Sequence, residues 1–154
     1  MDKLRILGST NTQTRRLGYV IQICRILGEG YSPPSDLQKH IENWAEENNS
    51  VLKKHVSDKG EIRRPPRSLG SRRYITLAQD LSLVTQVSGY LRLTKTGRVL
   101  LALGNELCAK DNPFRLGPKA ALLLCYQLLL LDADYLLPTC LLYTSPSPRD
   151  RTRS

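Results

Sequence analysis

Arg72, Arg73, Thr76 and Gln79 crowd into the stretch "SRRYITLAQDL". None of these side chains is a nucleophile or a general base near neutral pH, so their chemistry is hydrogen bonding and charge. At about 100° per residue, Arg72, Thr76 and Gln79 share one side of a helix, opposite Leu77, Ala78 and Leu81. Arg can donate two bonds to guanine, Gln can pair both ways with adenine, and the Thr methyl can meet thymine. With a helix starting at residue 71, Arg73 can hold a phosphate together with the first amides. Upstream, Arg63, Arg64 and Arg67 in "GEIRRPPR" can track an adjacent phosphate backbone, and downstream Arg92 can reach phosphate or a minor groove. Two plainer readings remain open on the same residues. A polar face is what any surface helix carries, and a basic proline-containing stretch is also a solubilising linker.

Catalytic chemistry has no comparable set of residues. The sequence holds no glycine-rich phosphate loop, no Gly-x-Ser-x-Gly elbow and no paired carboxylates beside a base. Asp132 and Asp134 are close together but border an apolar run, as a helix boundary does. His40 and His55 lack the spacing of a zinc site, so no metal and no cofactor is expected.

The elements that must position the arginines follow from periodicity. In "TRRLGYVIQICRILGEG", Leu17, Val20, Ile21, Cys24 and Leu27 fall at helical spacing, with Gly28 and Gly30 at the end. In "SPPSDLQKHIENWAEENN", Pro33 and Pro34 break the chain and Ser35 offers an N-cap to a second helix. Leu37, Ile41, Trp44 and Ala45 line one face of that helix, and Asp36, Glu42, Glu46 and Glu47 face outward. A basic loop over 57–70 feeds a third helix over 71–82, striped by Tyr74, Leu77, Ala78 and Leu81. "LVTQV" and "YLRLT" around Ser88-Gly89 read as a hairpin over 83–94, with Leu91 and Leu93 on one side and Tyr90 and Arg92 on the other. Thr94 or Thr96 can cap a helix through Val99, Leu100 and Leu103. Pro118 opens the last helix, 118–131, whose run "AALLLCYQLLLL" is too short to span a bilayer. Leu122, Leu123, Tyr126 and Leu130 are expected among its buried positions, and Cys24 and Cys125 read as small core residues. The fold class is therefore mainly α with a small β-hairpin wing and a C-terminal apolar helix.

Residues 68–103 resemble the winged helix-turn-helix family. The likeness rests on a third helix ending in "DLSLV", a hairpin closing in "GYLRLT", and "KTGRVLLAL" entering a helix. It implies that the third helix enters a DNA major groove while the hairpin flanks it. One departure is plain: the family joins its second and third helices by a short turn, and here a long basic stretch intervenes. The expected partner is duplex DNA. The rival is a protein–protein docking module, since winged helices also serve that role and helix 118–131 can mediate self-association or an intramolecular contact.

Residues 140–154, "CLLYTSPSPRDRTRS", have a different look. The codons TGT CTC TTA TAC ACA TCT spell residues 140–145, and CCG AGC CCA CGA GAC spell 146–150. That string resembles a translated tagmentation sequencing adapter. The expectation is a natural chain over 1–139, the N-terminal module of a longer microbial protein, either a regulator or a DNA-acting enzyme whose catalytic part lies in a missing C-terminal portion, with a disordered, non-native tail. The formal net charge is +9. The tail supplies three arginines against Asp150, so +7 remains, a sign that suits a polyanionic partner. Without the tail's Cys140 there is an odd number of cysteines, and the first residues lack an apolar signal core. Both suit a reducing cytoplasm.

Overall fold

The helical spacing of Leu17, Val20, Ile21, Cys24 and Leu27 lies along α1 (Gly18–Leu27) in the computed structural model, which describes residues 16–28, 30–54, 68–131 and 133. Tyr19, Val20, Ile21, Ile23 and Cys24 on α1 are fully buried, because the helix is covered on almost every side. Its neighbours are α2 (Pro34–Glu47), α4 (Ser68–Asp80), α5 (Lys95–Leu101) and both hairpins. Gly18 allows the second hairpin to approach so closely. A Cβ at that position would collide with the Pro113 carbonyl oxygen and the Phe114 backbone.

Four aromatic rings join these elements. Tyr19 stacks on Tyr74 of α4 with ring centroids 4.5 Å apart and meets Trp44 of α2 edge-on at 5.5 Å. Phe114 sits 5.2 Å from Tyr19 and 4.8 Å from Trp44. The chain has a single Phe and a single Trp, and both are committed to this cluster. Large rings contribute most of the area a small core can bury.

Helix α2 begins on Pro34, with Pro33 extended before it, so Pro34 occupies the first helical turn where its missing N–H costs nothing. Ser35 therefore lies inside the helix instead of capping it; its hydroxyl bonds the neighbouring Asp36 carboxylate at 3.4 Å. A short helix, α3 (Asn49–Lys54), follows α2. Arg63, Arg64 and Arg67 lie outside the described residues, as do 57–67 of the expected basic loop and all of 140–154.

Helix α4 is the expected third helix, displaced toward the N-terminus: it starts at Ser68, three residues earlier than its apolar stripe suggested. Ser82 ends it in the left-handed region, with φ 56°. Leu83 N–H donates to the Ala78 carbonyl at 3.0 Å and Ser82 N–H to Gln79 at 2.8 Å, the paired bonds of a Schellman stop. The chain then runs directly into β1 (Val84–Val87), turns through Ser88 and Gly89, and returns as β2 (Tyr90–Leu93). Both turn residues have positive φ, 50° and 83°, which matches the twist of a two-residue hairpin. Leu91 and Leu93 face the core and Tyr90 and Arg92 face out. Ser32, between α1 and α2, exchanges two backbone hydrogen bonds with Leu91, so the hairpin is held on its free edge as well.

Thr94 fixes the base of this wing. Its hydroxyl donates to the Ser82 carbonyl at 2.6 Å and accepts from Gly97 N–H at 3.1 Å, capping α5 while holding the end of α4. Helix α5 stops at Leu101; Leu100 is buried, Leu103 is half-buried beyond its end and Val99 is exposed. After it come a 3-10 turn (Gly104–Glu106), β3 (Cys108–Ala109) paired with β4 (Asn112–Leu116), and α6 (Pro118–Leu131). The whole is a mainly α fold with small antiparallel hairpins: three mutually packed helices, a wing, and an apolar C-terminal helix.

On α6 the buried positions are Ala120 and Leu124. Of the positions expected inside, Leu123 is half-buried, whereas Leu122, Tyr126 and Leu130 are 73%, 60% and 56% exposed. Cys125 is exposed too. A helix that is apolar all round does not reveal which side is covered. Here the 3-10 turn packs against one strip of the helix, beside an apolar cavity of about 190 Å³ among Leu17, Leu77, Leu81, Leu116 and Leu124. Among the described residues no helix is long and apolar enough to cross a membrane.

Candidate nucleic-acid interface

The candidate site is the solvent side of α4 together with the outer face of the wing. Tyr74, Ile75, Leu77, Ala78 and Leu81 anchor α4 to the core. The remaining arc carries Arg72, Arg73 and Thr76, all exposed, and Gln79, half-buried at its edge. At about 100° per residue, Arg72, Thr76 and Gln79 lie within roughly 60° of one another and climb two turns of the helix. The Thr76 hydroxyl donates back to the Arg72 carbonyl at 3.2 Å, which settles its polar group locally.

Arg73 has moved relative to expectation. Because α4 starts at Ser68, Arg73 belongs to its second turn, beyond the N-terminal amides of the first turn. A phosphate held by Arg73 would thus be held by the guanidinium without those amides. Arg92 projects from the exposed side of β2, where Thr85 of β1 stands opposite it. Among the described residues the ion pair is Lys119–Glu106, an exposed one, and Arg72, Arg73 and Arg92 have no part in it. Among the described residues no carboxylate forms an ion pair with these three arginines.

Two further cations, Lys95 and Arg98, are exposed on α5 just beyond the wing. The signal for them is the run "TKTGR", where every residue outside the Thr94 cap and the buried Gly97 is polar. Gly97 itself must be small, since a Cβ there would strike the Leu83 carbonyl oxygen.

The acidic side of α2 is only partly outward. Asp36, Glu46 and Glu47 are exposed, but Glu42 is half-buried and turned to α4. There its carboxylate accepts from the fully buried Ser71 hydroxyl at 2.8 Å and from Gln38 Nε2 at 3.2 Å. This bond fixes the rotation of α4 about its own axis, one residue before Arg72. Nothing in the sequence spacing pairs residues 42 and 71, so the contact is legible only once the helices are packed. Asp80 closes the polar arc at its C-terminal end and places a carboxylate one turn beyond Thr76.

The arrangement offers a row of donors on a helix seated in the core and a flanking arginine on a braced hairpin. The chain matches no family model, no curated protein and no solved structure.

Proposed function

We propose that this chain is a binding module for double-stranded DNA, with α4 directed into the major groove and the β1–β2 wing lying along the flanking backbone. The observation that carries the reading is the division of α4. One side is locked into the core by Tyr74, Leu77, Ala78 and Leu81, and the other presents Arg72 and Thr76, both exposed, in one row with the half-buried Gln79. Arg72 and Gln79 take the base-reading role, Thr76 offers its methyl group, and Arg73 and Arg92 take phosphates. Arg63, Arg64 and Arg67 are assigned to the adjacent backbone on sequence grounds. The net charge supports a polyanionic partner. No catalytic role belongs to this reading, and a reducing cytoplasm is its natural setting.

The test is a titration of labelled duplexes at two salt concentrations. Affinity falls steeply with salt, because each neutralised phosphate releases counterion. Arg92→Ala weakens binding to all duplexes about equally and flattens the salt slope by roughly one phosphate. Arg72→Ala and Gln79→Ala each cost about 1–3 kcal/mol on a preferred site and little on random DNA. Absence of binding at low salt, or binding indifferent to salt, rejects the reading.

A further inference from the structure

We infer that the outer face of α6 is the contact through which two copies of this chain pair about a two-fold axis. The inference rests on α6 alone and holds whether or not the chain binds DNA. Leu122, Tyr126, Leu129 and Leu130 are between 56% and 73% exposed. At helical spacing they form one stripe, on the side away from the buried Ala120 and Leu124. From Ala120 to Leu131 the helix carries no charged residue at all. Contiguous apolar patches of this kind mark interaction sites on soluble proteins.

Three features select a second copy as the occupant. The first is charge: a formal +9 repels a second copy over most of the surface, but the stripe itself carries no charge, and Lys119, on the same side one turn before Leu122, is ion-paired with Glu106. The stripe is also self-complementary. Leu122 and Leu130 stand four residues either side of Tyr126, so an antiparallel second copy sets Leu122 beside Leu130 of that copy, with Tyr126 near the axis. Rows of residues four apart are the ridges that interdigitate in the commonest helix–helix packing, at about −50°. Each copy then uses the same patch, the condition for a closed pair. The third is area. The exposed parts of the four side chains amount to roughly 500 Å² per copy, so a pair removes on the order of 1,000 Å², the lower edge for a specific interface. A pair of that size is reversible and concentration-dependent.

Sedimentation velocity of the full chain over a wide concentration range tests this. The expected result is a monomer that converts to a species of twice the chain mass and goes no further. Leu122→Glu/Leu130→Glu and Leu122→Lys/Leu130→Lys are each expected to stay monomeric, because like charges face each other across the axis. Mixing the two variants restores the pair, since each acidic position then meets a basic one. Circular dichroism matching the wild type excludes a folding defect, as both positions are exposed. A wild type that stays monomeric throughout overturns the inference. So does open-ended growth beyond two copies, or a mixture of the two variants that remains monomeric although both are folded.

Discussion

Helices α4 and α6 are close in length but use their surfaces in opposite ways. On α4, hydrophobic and polar residues alternate with the period of the helix, and from Arg72 to Asp80 the buried and more exposed sides follow that alternation. On α6 nearly every position is apolar, yet only Ala120 and Leu124 are fully buried. Amphipathic patterning therefore specifies an orientation, whereas uniform hydrophobicity specifies only that some cover is needed. The neighbours decide which side of α6 receives it: the 3-10 turn beside Ala120 and the Leu17–Leu81 side of the core take one strip and leave the rest.

That contrast is broken or upheld most strongly by truncating one leucine on each helix. Leu77 is buried on α4, so Leu77→Ala costs about 2–5 kcal/mol through lost transfer energy and the cavity left behind. Leu122→Ala removes the same atoms from an exposed site of α6 and leaves the monomer's stability within about 0.5 kcal/mol. Urea unfolding of both variants at a concentration where the wild type is monomeric gives the comparison. Equal losses would mean that α6 is as well covered as α4.

The next effect in size belongs to the one fully buried polar side chain among the described residues, Ser71. Its hydroxyl bonds the Glu42 carboxylate across the α2–α4 contact. Ser71→Ala removes a bond to a charged acceptor and costs about 1–3 kcal/mol. Ser71→Thr keeps the donor but adds a methyl group to a filled site, and falls between the two. Under the proposed DNA-binding function, Ser71→Ala is also expected to weaken binding to the preferred duplex more than to random DNA, because the bond helps set the rotation of α4. No polar side chain of α6 has an equivalent role. Its Gln127 is half-buried, and Gln127→Ala changes little.

What the sequence made legible divides along the same line. The stripe of Tyr74, Leu77, Ala78 and Leu81 and the opposing Arg72, Thr76 and Gln79 follow from a single periodicity, so the polar face of α4 could be written down in advance. The start of the helix could not. Gly70 and the prolines at 65 and 66 weaken the signal around Ser68, and the three-residue error moved Arg73 away from the helix end. The wing was legible for a different reason: Ser88-Gly89 demands a tight turn, and the residues around it alternate. The second hairpin lacks both cues. Its strands have two and five residues, and Phe114 is the only buried side chain in them apart from half-covered neighbours. On α6 the choice of Leu122, Tyr126 and Leu130 as core positions was a choice among equivalent residues, and packing made it the other way.

The smallest expected effect sharpens the contrast with a single residue type, because cysteine occurs on both the central helix and α6. Cys24 on α1 is buried, and burial pushes its thiol up from an ordinary 9.0 to about 12. Burial raises Tyr74 and Tyr19 from their ordinary value of 10.0 as well. Each group is neutral when protonated, and folding favours that form. The unfolded chain therefore loses these protons at a lower pH than the folded one. The stabilisation is complete below about pH 9 and is lost as pH rises toward the folded-state values. Cys24 alone accounts for about 1 kcal/mol of loss by pH 10, since one pH unit beyond the unfolded value is worth about 1.4 kcal/mol. Thermal unfolding between pH 7 and 11 should be flat at first and then decline, with a shallower decline in Cys24→Ala despite its lower starting point. Thiol labelling at pH 8, mapped by peptide mass, should modify Cys125 in the folded chain and reach Cys24 only after denaturant is added. If Cys24 were labelled as fast as Cys125, α1 would not be the covered centre of the fold, and the distinction between a helix with a fixed seat and one with a spare face would fail at its firmer end.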